Sequence, residues 1–136
     1  MVSEIPTFDD NGYLPPGIHC ATLDQIAKRY GNESELRRVQ MESLRWLVDL
    51  ARRAGVLRIV INGSFVSDAY EPNDVDCALL IGPDYPSDAH ADAELQQGLP
   101  FIQAEFLTIE AFDHYVGTFY GTDRRGVAKG VVEVVP

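Results

Sequence analysis

The sequence predicts an α/β (α+β) fold, a small mixed β-sheet flanked by helices, and three observations carry that reading. Between Asn32 and Gly55 apolar residues recur at steps of three to five, the mark of an amphipathic helix of about 20 residues. Two largely apolar runs follow, at 56–61 and 75–81, apolar on both faces as in strands covered by helices. A third run at 101–109 completes the order helix, helix, strand, helix, strand, helix, strand, which packs as layers of helix on sheet.

Each element has its own local reason. Residues 1–21 carry Pro6, Pro15, Pro16, Gly12 and Gly17 and read as an irregular arm, pinned to the body by Tyr13 and Leu14. Residues 22–136 read as a single domain. Thr22-Leu23-Asp24-Gln25 has the form of a capping box, so a short helix runs to about Tyr30 and Gly31 suits its C′ position. Asn32 is expected to cap the long helix, with Glu33 and Glu35 in the first turn, where the helix dipole favours acids. Arg37, Arg38 and Arg45 read as a solvated basic face of that helix, and Gly55 stops it.

Val56–Ile61 and Val75–Ile81 are the first two strands, joined by a short helix within 64–70 and a turn at Glu71-Pro72-Asn73. Residues 84–88 form a loop, Ala89–Gln97 a polar helix closed by Gly98, and 101–109 the third strand. A short helix from Glu110 to Tyr115 leads to the glycine-rich basic loop YGTDRRGVAKG, and Val131–Val135 reads as a last strand at a sheet edge.

Composition removes several functional classes. The net charge of -10 argues against direct binding to DNA or to an anionic membrane, since both demand a local excess of Lys and Arg. No apolar run is long enough to span a bilayer, and the N-terminus lacks the basic and apolar segments of a signal peptide. A soluble cytoplasmic protein is the expectation. Cys20 and Cys77 read as two free thiols in a reducing compartment, His19 as a structural or surface residue, and no Cys/His cluster marks a structural zinc site.

The stretch NGSFVSDAYEPNDVDCALLI, 62–81, holds the chemistry. Asp74 and Asp76 are spaced i, i+2 at the head of a strand, so their side chains share one face. Two carboxylates there repel unless a cation joins them, and Mg²⁺ takes such carboxylates together with water and substrate phosphates. Glu105 is a charge inside an apolar run: a third carboxylate if its strand lies beside the second, and otherwise a buried structural pair or an exposed edge position. Gly63 lets the backbone approach a phosphate, and the amides of Ser64 and Phe65, opening a short helix, present donors to anionic oxygens. Arg124, Arg125 and Lys129 neutralise a phosphate if the basic loop folds over the site, and merely offset acidic neighbours if it does not.

These residues resemble the nucleotidyltransferase signature of the polymerase-beta-like superfamily: a hydrophobic strand, Gly-Ser or Gly-Gly, a spacer, then Asp-hydrophobic-Asp. Here the pattern is Gly63-Ser64, nine residues, Asp74-Val75-Asp76. The stretches LPPGIH, GSFVS, EPNDVD and TDRRGVAKGVV also look like those of small bacterial nucleotidyltransferase-like proteins of unassigned function, so the resemblance runs from about Leu14 to Val132.

The resemblance implies a nucleotidyltransferase-like fold and a two-metal phosphoryl transfer, with Mg²⁺ or Mn²⁺ as cofactor and an NTP such as ATP as co-substrate. Asp74, Asp76 and Glu105 would be the catalytic and metal-binding residues; Gly63 and Ser64 would hold the β and γ phosphates. Two ions roughly 4 Å apart serve the attacking and the leaving oxygen in such chemistry. Glu105 departs from the family, whose third carboxylate is most often an aspartate. The acceptor hydroxyl is not specified, and the lack of an acceptor-binding domain implies a small acceptor, a protein partner or a homo-oligomer. The alternative is a catalytically inactive nucleotide-binding or protein-interaction module, of the kind found in toxin-antitoxin or defence systems.

Overall fold

A computed structural model describes residues 4–136, the side chain at 119 excepted; the part of the expected arm at residues 1–3 lies outside them. The fold is a five-stranded mixed sheet with four α-helices. In chain order the elements are β1 (Gly17–Ala21), α1 (Leu23–Tyr30), α2 (Glu35–Ala54), β2 (Arg58–Asn62), β3 (Val75–Leu80), α3 (Ala89–Gln97), β4 (Ile102–Leu107), α4 (Ile109–His114) and β5 (Gly130–Val134). Across the sheet the order is β1-β5-β2-β3-β4. The outer pairs, β1 with β5 and β3 with β4, are parallel, and β2 is antiparallel to both of its neighbours.

The capping box forms as expected. Thr22 N–H donates to Gln25 Oε1 at 2.9 Å and Gln25 N–H to Thr22 Oγ1 at 3.2 Å. Gly31 ends α1 in a right-handed conformation, φ -91°, so its value there is space: a Cβ would press on the Ala27 carbonyl and the Met41 side chain. The cap of α2 is Ser34, not Asn32; Ser34 Oγ accepts from Arg37 N–H at 3.1 Å. Gly55, at φ 95°, supplies the left-handed residue that stops α2.

Two expectations at the sheet's margin are corrected. Residues 17–21, expected within the irregular arm, form β1, and β5, expected at an edge, lies between β1 and β2. Both follow from one pairing: GIHCA is too short to announce itself and becomes a strand because β5 presents a free ladder to it, Gly17 opposite Gly130 through Ala21 opposite Val134. Packing at Gly130 fixes the junction, since a Cβ there would run into the Pro15 carbonyl, to which His19 Nε2 is hydrogen-bonded at 2.6 Å. His19 thus holds structure, as expected.

The sheet has two unlike faces. Ile59, Ile61, Val75, Cys77, Leu79, Val132 and Val134 face the main core with Ile26, Tyr30, Leu44, Leu47 and Leu50 of α1 and α2. Burying these side chains is the principal stabilising term, about 1.5–3 kcal/mol for each large one. On the reverse face Val60, Ala78, Leu80 and Val131 pack under Phe112 of α4 and under Val116 and Tyr120 of the π-helical segment that continues it, Tyr115–Tyr120. This second layer covers only part of its face, and the end it leaves carries the polar residues. No helix among the described residues is long and apolar enough to cross a membrane. Both cysteines are free, Cys77 buried and Cys20 exposed.

Candidate functional site

The backbone alternation that buries Ile61 and Cys77 on the core face turns Asn62 and Asp76 to the other. These two residues are directly paired across β2 and β3. Their side chains therefore lie beside each other on one face, with Cβ atoms about 5 Å apart. Asp74 stands one step before β3 on the same side, and next to Asp76 on β4 comes Gln103. Lys129 immediately precedes β5 and is in register with this face, so polar side chains cross the sheet from β5 to β4.

Asp76 is half-buried, and burial raises its carboxyl above the ordinary 3.8; Asp74 adds to the rise and Lys129 opposes it. Burial in turn lowers the Lys129 ammonium, while Asp76 and Asp123 hold it up. The Tyr115 hydroxyl is raised by burial, then by Glu105 and Asp76. Tyr120 is raised further, chiefly by burial, with Asp76 and Glu105 contributing. The π-helical segment therefore sets two phenols within electrostatic reach of the carboxylates, where π-helical turns often serve a site.

Gly63 has a different task from the one expected of a phosphate-binding glycine. Its φ is 80°, and a Cβ built there would strike Asp76 Oδ2. The glycine leaves the space in which the carboxylate sits. The short helix expected after it is a single 3₁₀ turn, Gly63–Val66, too brief to carry a helix dipole, so only individual amides of Ser64 and Phe65 remain as donors.

Two residues of α2 shape the loop that joins Gly63 to Asp74. Arg37, expected on a solvated face, is 2% exposed and donates to the carbonyls of Tyr30, Ser64, Phe65, Ser67 and Ala69. Gln40 Nε2 donates to the Pro72 carbonyl at 2.6 Å, two residues before Asp74. The sequence held a signal for both: positions 37, 40, 41, 44, 47 and 48 follow the helical period of the buried face, which makes 37 an interior position.

The basic loop divides. Asp123 accepts from the Arg125 and Val127 amides at 2.8 and 2.9 Å and from Tyr13 Oη at 2.8 Å, so the arm latches the loop. Arg125 is paired with Asp123 and both Arg124 and Arg125 are exposed, whereas Lys129 is half-buried, acts electrostatically on Asp76 and stands 6.0 Å from the Tyr13 ring centre. Of the three expected phosphate-binding cations, Lys129 is the one that acts on Asp76.

Glu105 lies on β4, the edge strand, opposite Ala78 and so two residue pairs beyond Asp76 on the same sheet face, and it is exposed. Among the described residues no three His, Cys, Asp or Glu side chains come together as a metal-holding group. The expected set of Asp74, Asp76 and Glu105 is thus not gathered, because the third member is offset along an outer strand. Asp74 and Asp76 alone offer hard oxygen donors of the type Mg²⁺ and Mn²⁺ accept. A family model matches residues 6–135. The chain belongs to DUF6932, a family of unknown function. No curated protein and no solved structure matches this DUF6932 chain.

Proposed function

We propose that the chain binds an NTP with Mg²⁺ or Mn²⁺ and transfers a nucleoside monophosphate to a hydroxyl of an acceptor, in the cytoplasm. One observation carries the reading: the Asp76 carboxylate sits in a space kept open by Gly63, with Asp74 two residues before it on the chain and the charge of Lys129 acting on it. A half-buried acidic pair that the fold makes room for, answered by one half-buried lysine, suits a cation that brings phosphates with it.

Asp74 and Asp76 would hold the ion, which when bound withdraws charge from the phosphates and lowers the barrier to displacement at phosphorus. Lys129 neutralises the departing pyrophosphate, and the amides of Ser64 and Phe65 orient non-bridging oxygens. Tyr115 and Tyr120 limit water at the reacting centre from the covering layer. The net charge of -10 disfavours DNA as acceptor and favours a small hydroxyl compound or a protein partner.

A second reading, nucleotide binding without turnover, is favoured by the offset and exposure of Glu105, which leave two carboxylates where a two-ion mechanism uses three. Incubation with each labelled ribonucleotide, Mn²⁺ or Mg²⁺ and a cell extract separates the two. Transfer of label by the wild type and not by Asp74→Ala/Asp76→Ala supports the enzyme. Nucleotide retention without transfer supports the binding module. Identical behaviour of wild type and double variant rejects both.

A further inference from the structure

Asn62 is an anomaly for a residue so well enclosed. It closes the run RIVIN, is 6% exposed, and among the described residues its Oδ1 has no hydrogen-bond partner. A buried amide oxygen without a partner is costly, and native folds retain few. Leu or Val at this position would extend the β-branched strand and add to the apolar cluster of Val60, Ala78 and Val131 on the same face. Packing therefore gives no reason for an amide here.

What surrounds it does. Asn62 is paired with Asp76 in the ladder, so its amide stands on the same sheet face as the carboxylate whose space Gly63 preserves. Asp74 precedes Asp76 by two residues, the spacing that puts both on one strand face. An acceptor needs a donor or a cation, and no side chain among the described residues, Lys129 included, donates to this one. A neutral carbonyl oxygen beside two carboxylates completes an oxygen-only donor set without adding charge. That is the composition hard divalent cations select, with water and substrate oxygens filling the remaining positions.

We propose that Asn62 is a ligand of a divalent cation, its side-chain oxygen acting with the carboxylates of Asp74 and Asp76 in place of the offset Glu105. The inference rests on the function proposed above for the cation's purpose, and it names the protein oxygens that receive the ion. It also accounts for the missing three-carboxylate group: the third donor is an amide, contributed by the neighbouring inner strand.

The test is Mn²⁺ binding by the full chain without nucleotide, followed by calorimetry and by the electron paramagnetic resonance signal of free Mn²⁺. Asn62→Leu removes the oxygen while nearly keeping volume, Asn62→Asp restores an oxygen, and Glu105→Gln is the competing arm. Asn62→Leu is expected to weaken Mn²⁺ about 10-fold or more, Asn62→Asp to bind at least as tightly as wild type, and Glu105→Gln to lose less than Asn62→Leu.

Melting without metal gives a second readout. Asn62→Leu should melt at or above the wild-type temperature, since it removes an unsatisfied buried acceptor, whereas an asparagine kept for structure would melt lower when replaced. Wild-type Mn²⁺ affinity in Asn62→Leu, a greater loss in Glu105→Gln, or a lower metal-free melting temperature of Asn62→Leu overturns the assignment. If Asp76→Asn abolishes binding while Asn62→Leu does not, only this inference falls. If the wild type binds no Mn²⁺, the proposed function falls with it.

Discussion

Replacing Arg37 by Met should cost about 3 kcal/mol of stability, and the figure follows from where its hydrogen bonds end. The guanidinium donates to five carbonyls, at distances from 2.6 Å to Ala69 to 3.3 Å to Ser64. Ser64 and Ala69 are half-buried, so water can replace the lost donor there; Tyr30, Phe65 and Ser67 are buried. Three carbonyls without partners cost about 1 kcal/mol each at the low end of the range, which sums to about 3 kcal/mol. Relief of the guanidinium's own desolvation, the reason its pKa is lowered, works against that sum, while loss of charge assistance works with it.

Urea unfolding is the assay, with an unchanged slope as the condition for reading a midpoint shift as stability. Hydrogen exchange should locate the effect at the amides of 64–69. Arg37→Lys should not rescue it, because one ammonium with three donors cannot serve five diverging carbonyls. A loss below about 1 kcal/mol with unchanged exchange would mean that the loop is held by its own bonds, such as Ser67 Oγ to the Ser64 carbonyl at 2.8 Å, and that Arg37 is not its organiser.

Gly63→Ala forces a Cβ into left-handed backbone and against the Asp76 carboxylate, so it should lower stability by about 1–2 kcal/mol and reduce Mn²⁺ affinity; a variant that keeps both refutes the assigned role of the glycine. Asp123→Ala should release the Tyr13 latch and loosen residues 122–129, seen as faster exchange at the Arg125 and Val127 amides; unchanged exchange would discard the latch. The same variant has a pH signature. The Tyr13 hydroxyl, then the Val127 amide, hold the Asp123 carboxyl well below the ordinary 3.8. A depressed carboxyl contributes stability above its unfolded pKa and loses it as pH falls through the folded one. The melting temperatures of wild type and Asp123→Ala should therefore converge below about pH 4, and a constant difference down to pH 2 would contradict the ionic latch.

Elements whose causes are local could be read directly. The capping box of Thr22 and Gln25, the periodicity of α2, the left-handed stop at Gly55 and the runs of β2 and β3 each depend on neighbours within a few positions. β1 could not be read, because GIHCA has no alternation of its own and depends on a strand more than a hundred residues later. Ser34 displaced Asn32 as cap through its position relative to Arg37, a matter of two residues and outside what composition decides. In the site, the i, i+2 spacing of Asp74 and Asp76 could be read, since strand alternation is local. Asn62 escaped notice because its meaning lies in the cross-strand register with Asp76, and Arg37 because its partners lie some thirty residues away.

The residues that burden this fold are gathered at one end of one sheet face. An amide oxygen without a partner, a left-handed glycine, a half-buried acidic pair and a half-buried lysine meet within the span of three strands. The glycine is what its backbone conformation requires, but each of the others has a cheaper substitute: an apolar residue for Asn62, an amide for Asp76, a short side chain for Lys129. The opposite face of the same strands is continuously apolar and closely packed, so the sheet tolerates strain on its reverse without losing register. Arg37 and Gln40 extend that support outward by clamping both ends of the loop between Gly63 and Asp74. A polar cluster of accidental origin would be expected to have satisfied itself internally. This one leaves an amide oxygen without a partner beside a carboxylate whose charge burial disfavours, which is the arrangement a cation relieves on binding.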